Sequence, residues 1–103
     1  MYIVVLVTVP NKSQAKKLTS FLLREKLVAC VNIIPKVDSF FWWQGKIDKA
    51  TESLLVIKSK KKLLNELIKA VKSKHPYSVP EIIALPIISG NKDYLDWINE
   101  SCR

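Results

Sequence analysis

The sequence predicts an α+β fold of the ferredoxin-like type, in the order βαββαβ followed by a C-terminal helix. Four apolar runs of strand character alternate with segments whose apolar residues recur at helical spacing. Proline, glycine and asparagine residues separate these segments, and 49% of the 103 residues are apolar, which suffices for a packed core. We therefore expect one domain over residues 1–103, built from two βαβ halves in series.

The first half begins with a strand over residues 2–9. Its β-branched apolar run has no polar alternation before Thr8, which predicts burial on both faces. Pro10 and Asn11 end the strand, and Asn11 with Gln14 resembles a capping box that starts a helix. The buried stripe of this helix is predicted to contain Ala15, Leu18 and Leu22.

Two further strands and a turn follow. A strand over residues 27–34 is expected to end at Pro35, and residues 36–43 continue in an extended conformation. Gln44 and Gly45 turn the chain, and residues 50–59 form the third strand.

The last part of the chain is predicted to be a helix, a strand and a second helix. Ser59 can cap a helix over residues 60–74, which ends at His75 because Pro76 follows it. The fourth strand covers residues 79–88, where Pro86 indicates either an edge position or an irregularity near the end of the pairing. Asn91 can cap the final helix, whose apolar side contains Tyr94, Leu95, Ile98 and Cys102.

Four consecutive aromatic residues, Phe40-Phe41-Trp42-Trp43, are the most unusual feature of the sequence. On a strand, Phe40 and Trp42 would point to one face and Phe41 and Trp43 to the other. A chain of this size cannot easily cover two aromatic faces, so we expect one in the core and one against another subunit. The alternative is a monomer in which the strand is covered on both sides, with the last helix as one cover.

The net charge of +8 comes mainly from lysine, which accounts for 15 of the 17 basic residues. Nucleic-acid sites favour arginine, and the lysines between residues 58 and 74 lie on a predicted helix rather than on a sheet. A solvated helix surface is therefore expected instead of a nucleic-acid site. No apolar run is long enough to span a membrane and no leader is recognisable, so we expect a cytoplasmic protein without a membrane partner.

Candidate site residues are few. His75 is the only histidine, and it either caps the end of its helix or forms a metal site with Glu81 that other subunits complete. Glu52 forms either a surface salt bridge, for example with Lys46 or Lys58, or part of a site. Neither Cys30 nor Cys102 has the spacing of a metal ligand or the surroundings of a nucleophile, and no enzyme is expected.

Several separated motifs resemble the CutA family of divalent-cation-tolerance proteins. They include Ala29-Cys30-Val31-Asn32, the segment 39–47, His75-Pro76-Tyr77 and Val79-Pro80-Glu81-Ile82, and they occur in order along nearly the whole chain. The resemblance implies a homotrimer like that of the PII signalling proteins, tolerance of divalent metals and binding of copper. It implies a cleft between subunits that contains Trp43, Glu52, His75, Tyr77 and Glu81.

Two positions depart from the family pattern. Phe41 occupies a position where tyrosine is usual, and Val7 or Thr8 stands where some members have a cysteine proposed to bind copper. A cysteine-based copper site is therefore not expected, and His75 with Glu81 favours harder or borderline ions.

The function expected from this resemblance is weak binding of a divalent metal ion, copper or zinc, by His75 and Glu81 in intersubunit clefts. Trp43, Glu52, Tyr77 and Lys46 are expected to line the cleft, and Phe40, Phe41 and Trp42 to lie at the trimer interface. The alternative is a PII-like module that binds a small anion through Lys46, Lys58 and helix N-termini and regulates an unidentified protein partner.

Overall fold

Four strands form one antiparallel sheet in this computed structural model, which describes residues 1–103. The strand order is β2-β3-β1-β4, so β1 and β3 are central and β2 and β4 are the edges. The strands are β1 (Tyr2–Val9), β2 (Cys30–Trp43), β3 (Lys46–Lys60) and β4 (Ile82–Pro86).

Three helices complete the βαββαβ-α order and confirm the ferredoxin-like prediction. They are α1 (Lys12–Arg24), α2 (Leu64–Lys74), which follows a 3-10 turn over Lys61–Leu63, and α3 (Lys92–Ser101). The buried stripes of α1 and α2 pack on one face of the sheet, because apolar residues two apart on each strand point to that face. The core of 13 residues includes Val5, Val7, Leu55 and Ile57 from the sheet and Ala15, Leu18, Leu22, Leu67 and Val71 from the helices.

Two of the three predicted helix caps are confirmed. The Asn11 side chain accepts a hydrogen bond from the Gln14 N–H at 2.9 Å, and Asn91 accepts one from the Asp93 N–H at 3.1 Å. The predicted cap at Ser59 is wrong, because Ser59 is buried in β3 and its hydroxyl donates to the Leu27 carbonyl at 2.6 Å. The predicted helix start at Lys60 is also wrong, since Lys60 is the last residue of β3.

The second strand does not end at Pro35. It runs without interruption from Cys30 to Trp43 and contains a β-bulge between Ile34 and Val37. The bulge leaves residues 35 and 36 without a paired partner, which suits proline because it has no N–H to donate. The Ser53 hydroxyl donates to the Pro35 carbonyl at 2.7 Å, so the carbonyl displaced by the bulge still has a partner.

The β2–β3 hairpin is longer than predicted. β3 begins at Lys46 rather than at residue 50, directly after a turn in which Gln44 has a φ of 51° and Gly45 a φ of 78°. The predicted start of β2 at residue 27 is wrong too, since Leu27 and Val28 are core residues that precede the strand. The hairpin gives the molecule its long dimension, 44 Å against 26 and 23 Å.

The fourth strand is shorter than the predicted span of residues 79–88. It covers Ile82–Pro86 and pairs only with β1, which confirms the edge position inferred from Pro86. Residues 77–81 are therefore free of the sheet and form a loop beside the hairpin.

The first strand is buried on one face only, which corrects the prediction of two buried faces. Its residues alternate between fully buried and half-buried, because α1 and α2 cover one side of the sheet and no complete layer covers the other. Aliphatic side chains on this second side are half-buried or exposed, and we call them the open face: Val4, Leu6, Ile34, Leu54, Val56, Ile83 and Leu85.

The aromatic run does not contribute to the core. Phe40 and Trp42 are 71% and 73% exposed, and Phe41 and Trp43 are 38% and 49% exposed. The prediction that one aromatic face lies in the core is wrong, and so is the alternative that α3 covers the strand. The reason is length, since the hairpin carries these rings past the end of the helical layer.

Candidate functional site

A cleft of about 730 Å³ lies between the outer half of the β2–β3 hairpin and the loop after α2. The pleat places Ser39, Phe41 and Trp43 of β2 beside Asp48, Ala50 and Glu52 of β3, on the side of the sheet away from α1 and α2. Thr8 at the end of β1 and Tyr77, Ser78, Val79 and Glu81 of the loop complete the wall, with Phe40 and Lys49 at its margin.

Glu52 is the innermost carboxylate of this cleft. It is only 7% exposed, and its one hydrogen bond comes from the Tyr77 hydroxyl at 2.9 Å. The predicted surface salt bridge is wrong, because Lys58 is bonded to the Asn32 side chain and Lys46 lies at the far end of the hairpin. A buried acid without a basic partner is unusual in a chain of net charge +8.

Tyr77 is held as a hydrogen-bond donor. Burial, and then the hydrogen bond to Glu52 and the negative charge of that residue, raise the pKa of Tyr77 to about 12. The hydroxyl therefore stays protonated across the physiological range and keeps one oxygen of Glu52 occupied. The other carboxylate oxygen has no hydrogen-bond partner in the protein.

His75 lies behind Tyr77 and joins the loop to the sheet. Its Nε2 lies 2.7 Å from the Thr8 carbonyl oxygen, and the Tyr77 N–H donates to Nδ1 at 3.1 Å. Because a carbonyl only accepts, the ring carries its proton on Nε2 and is neutral in this arrangement. The His75 and Tyr77 rings also pack with centroids 4.7 Å apart.

The contacts of His75 can be compared with its two predicted roles, a cap of its helix and a metal ligand. It is the residue that ends α2, yet its ring binds a carbonyl of β1 rather than the last carbonyls of its own helix. Its two nitrogens are both engaged, and it borders a second pocket, of about 440 Å³, on the other side of the loop. Glu81 is exposed and lines the first cleft, so the two predicted metal ligands face different spaces.

The structure brings together four of the residues predicted for the cleft and leaves others outside. Trp43, Glu52, Tyr77 and Glu81 line it, whereas Lys46 does not. Of the residues predicted for the trimer interface, Phe40 and Phe41 border the cleft and Trp42 points away from it. No three His, Cys, Asp or Glu side chains come close enough to hold a metal ion within this chain.

Asp48 is a cleft residue that the sequence analysis did not identify. The predicted third strand began at residue 50, which left Asp48 in a turn. The alternation of Asp48, Ala50 and Glu52 could have revealed it, because residues two apart share a face once the strand is extended to Lys46. With Asp48 included, the cleft has three carboxylates and one lysine, Lys49, at its wall.

The fold and the cleft define a ferredoxin-like α+β protein with an acidic, aromatic-walled groove beside the outer half of its sheet. Residues 3–101 match the model of the CutA1 divalent ion tolerance protein family. The chain belongs to this family.

Individual relatives agree with the assignment. The chloroplastic protein CutA 1 of Oryza sativa is 52% identical over 101 residues, which are 98% of this chain and 57% of that protein. This chain therefore spans little more than half the length of the rice relative. The solved divalent cation tolerance protein of Thermus thermophilus superposes with a TM-score of 0.98 at 45% identity over 100% of both chains.

The names of the relatives place them in different compartments. The CutA structure from Archaeoglobus fulgidus, described as periplasmic, superposes with a TM-score of 0.95 at 42% identity over 98% of both chains. The rice relative is chloroplastic, so the cytoplasmic location expected for this chain stays a prediction. No helix of the structure has both the length and the apolar character that crossing a membrane requires.

Proposed function

We propose that this protein is a non-enzymatic, homotrimeric divalent-cation-binding protein with a role in metal-ion tolerance, copper included. The name shared by its relatives supports the role. The observation that carries the proposal is the acidic cleft, in which Glu52 is buried without a basic partner and whose wall also contains Asp48 and Glu81. Carboxylate oxygens bind divalent cations, and an unpaired buried carboxylate is stabilised by one.

The assembly proposed is a trimer in which the open face and the aromatic hairpin are covered by neighbouring copies. In the single chain the seven aliphatic side chains of the open face are half-buried or exposed, and the four aromatic rings are exposed. An apolar surface of this extent is characteristic of an interface between subunits. The cleft adjoins both surfaces, so in the trimer it would lie between subunits and gain ligands from a second copy.

In the proposed metal site, Glu81 and Glu52 supply oxygen ligands from the cleft. His75 faces the second pocket in the single chain, so its nitrogen would reach the same ion only after the loop that follows α2 has moved. His75 could bind a cation only through Nδ1, since the N–H at Nε2 donates a hydrogen bond to the Thr8 carbonyl. The cation would have to displace the Tyr77 N–H from that nitrogen, so we expect weak binding. Zinc and copper(II), which accept imidazole and carboxylate ligands, are the ions that suit this set.

Calorimetric titration with Zn²⁺ and with Cu²⁺ tests the proposal. We expect saturable binding by the wild type, reduced by Glu81→Gln and by His75→Ala. The matched control is Glu100→Gln, which removes an exposed acid of α3 that lies outside the cleft. Absence of binding, or an equal loss in the control, would contradict the metal proposal.

A PII-like module that binds a small anion and regulates a protein partner is the second candidate. The second pocket favours it, because Lys17, Arg24 and Lys74 border that pocket together with no acidic residue. Lys46 and Lys58, which the sequence suggested for an anion site, do not line this pocket. Pyrophosphate that raises the melting temperature of the wild type but not of Arg24→Gln would support this candidate.

A further inference from the structure

We propose that the cleft binds an extended organic cation, an aliphatic amine with two or more ammonium groups, along the face of the hairpin. The inference rests on the proposed function, since it uses the same cleft as a cation site, and it names a further class of ligand for it. Three features support an extended amine: the spacing of the acids, the rings between them and the unpaired oxygen of Glu52.

The acids form a row rather than a cage. Asp48 and Glu52 lie four residues apart on the same face of β3, which separates their α-carbons by about 13 Å. A metal ion needs its ligand oxygens within about 2.0–2.6 Å of one point, and no three candidate ligands of this chain meet that condition. A ligand whose positive charges are themselves separated fits such a row better than a single ion does.

Aromatic rings lie along the same row. Phe41 is the cross-strand partner of Asp48, and Trp43 lies two residues further along the same face of β2. Tyr77 forms part of the opposite wall. Ring faces attract ammonium groups within about 6 Å and also pack against methylene chains. They therefore suit both the charged ends and the apolar chain of an alkyl amine.

The polar groups of the cleft are those that an ammonium group requires. The Tyr77 hydroxyl occupies only one oxygen of Glu52, which leaves the second as an acceptor. Asp48 accepts a local hydrogen bond from the Lys49 N–H at 2.7 Å and forms no ion pair. Lys49 alternates to the other face of β3, so its charge lies at the margin of the cleft rather than on its floor.

The competing occupant is a lysine side chain from a second copy of the chain. The protein has 15 lysines, and one that entered the cleft would pair with Glu52 or with Asp48. A lysine supplies one ammonium group, however, and the two acids of β3 are too far apart for it to contact both.

Calorimetry with spermidine, at low ionic strength, tests the proposal on the intact protein. We expect saturable binding by the wild type that weakens as NaCl is added, and an affinity lower by about tenfold or more in Asp48→Asn and in Glu52→Gln. The amide of Glu52→Gln can still accept the Tyr77 hydrogen bond, so this variant keeps the loop contact. The neutral chain 1,4-butanediol should not bind, and Glu100→Gln should bind spermidine as the wild type does.

Three results would overturn the inference: no saturable binding of spermidine, an equal loss in Glu100→Gln, or a carbodiimide cross-link between Glu52 or Asp48 and a lysine of a second copy. Zn²⁺ titrations of the same variants separate this proposal from the metal proposal. Binding of Zn²⁺ without binding of spermidine would contradict only the amine proposal. Binding of spermidine without binding of Zn²⁺ would contradict only the metal proposal.

Discussion

His75 and Thr8 are 67 residues apart in the sequence, yet the imidazole Nε2 of His75 lies 2.7 Å from the carbonyl oxygen of Thr8. The same ring accepts the Tyr77 N–H, and the Tyr77 hydroxyl bonds Glu52. The end of β1, the loop after α2 and the floor of the cleft are thereby joined by one chain of hydrogen bonds.

Replacing His75 with alanine should destabilise the protein and loosen the loop. Two hydrogen bonds are lost at a partly buried position, so we expect a loss of about 1–3 kcal/mol. Thermal unfolding at fixed protein concentration and amide exchange at Tyr77 measure the two effects. Lys72→Ala, at an exposed position of α2, is the control. An unchanged exchange rate at Tyr77 would show that His75 does not hold the loop.

The elevated pKa of Tyr77 predicts a loss of stability at high pH. Tyr77 keeps its proton up to about pH 12 in the folded state, whereas a tyrosine of the unfolded chain ionises near 10.0. The contribution of this group is therefore complete below pH 10 and is lost as the pH rises through 12. Tyr77→Phe should remove this part of the pH dependence and the corresponding tyrosinate absorbance step. A wild-type titration without a late step would contradict the prediction.

Asn99 should stabilise the C-terminal end of α3 through Lys60. The Lys60 side chain is 7% exposed, and its Nζ donates to the Asn99 carbonyl at 3.2 Å and to Asn99 Oδ1 at 3.3 Å. Asn99→Ala leaves the buried ammonium with one acceptor, so we expect a loss of about 1–3 kcal/mol in the free energy of unfolding. Asn65→Ala, at an exposed position of α2, should change it little.

The proposed trimer predicts a sedimentation mass about three times the chain mass of 11.8 kDa. Trp42→Ser should lower that mass toward the single chain, because the indole is 73% exposed here and would be covered by a neighbour. Leu23→Ser, at an exposed apolar position of α1, is the matched control. A wild-type mass near 11.8 kDa would remove the trimer and the intersubunit position of the cleft with it.

Local patterns predicted the order of the elements and both asparagine caps, because apolar periodicity and cap geometry are encoded within a few residues. The errors fall where distant contacts decide the outcome. β2 passes through Pro35 because Ser53, 18 residues later, accommodates the bulge. The exposure of Phe41 and Trp43 depends on how far the hairpin extends beyond the helices, which no local pattern reports.

The candidate site was only partly predictable for the same reason. The resemblance to relatives named Trp43, Glu52, Tyr77 and Glu81, and the structure places all four at the cleft. The sequence could not show that the nitrogens of His75 are occupied by the Thr8 carbonyl and the Tyr77 N–H, since both contacts arise only when the loop meets the sheet.

The bulge at Pro35 determines whether the odd-numbered or the even-numbered residues of the outer part of β2 face the cleft. Before the bulge, Asn32 and Ile34 pair on the open side of the sheet, and after it the odd-numbered residues Val37 and Phe41 do so. If the bulge closed with every residue kept, Lys36 would oppose Glu52, and Phe40 rather than Phe41 would oppose Asp48 on the cleft side. Deletion of Lys36 would instead remove the extra residue and leave Val37 opposite Glu52 and Phe41 opposite Asp48, so the strand would keep its binding surface while losing the bulge.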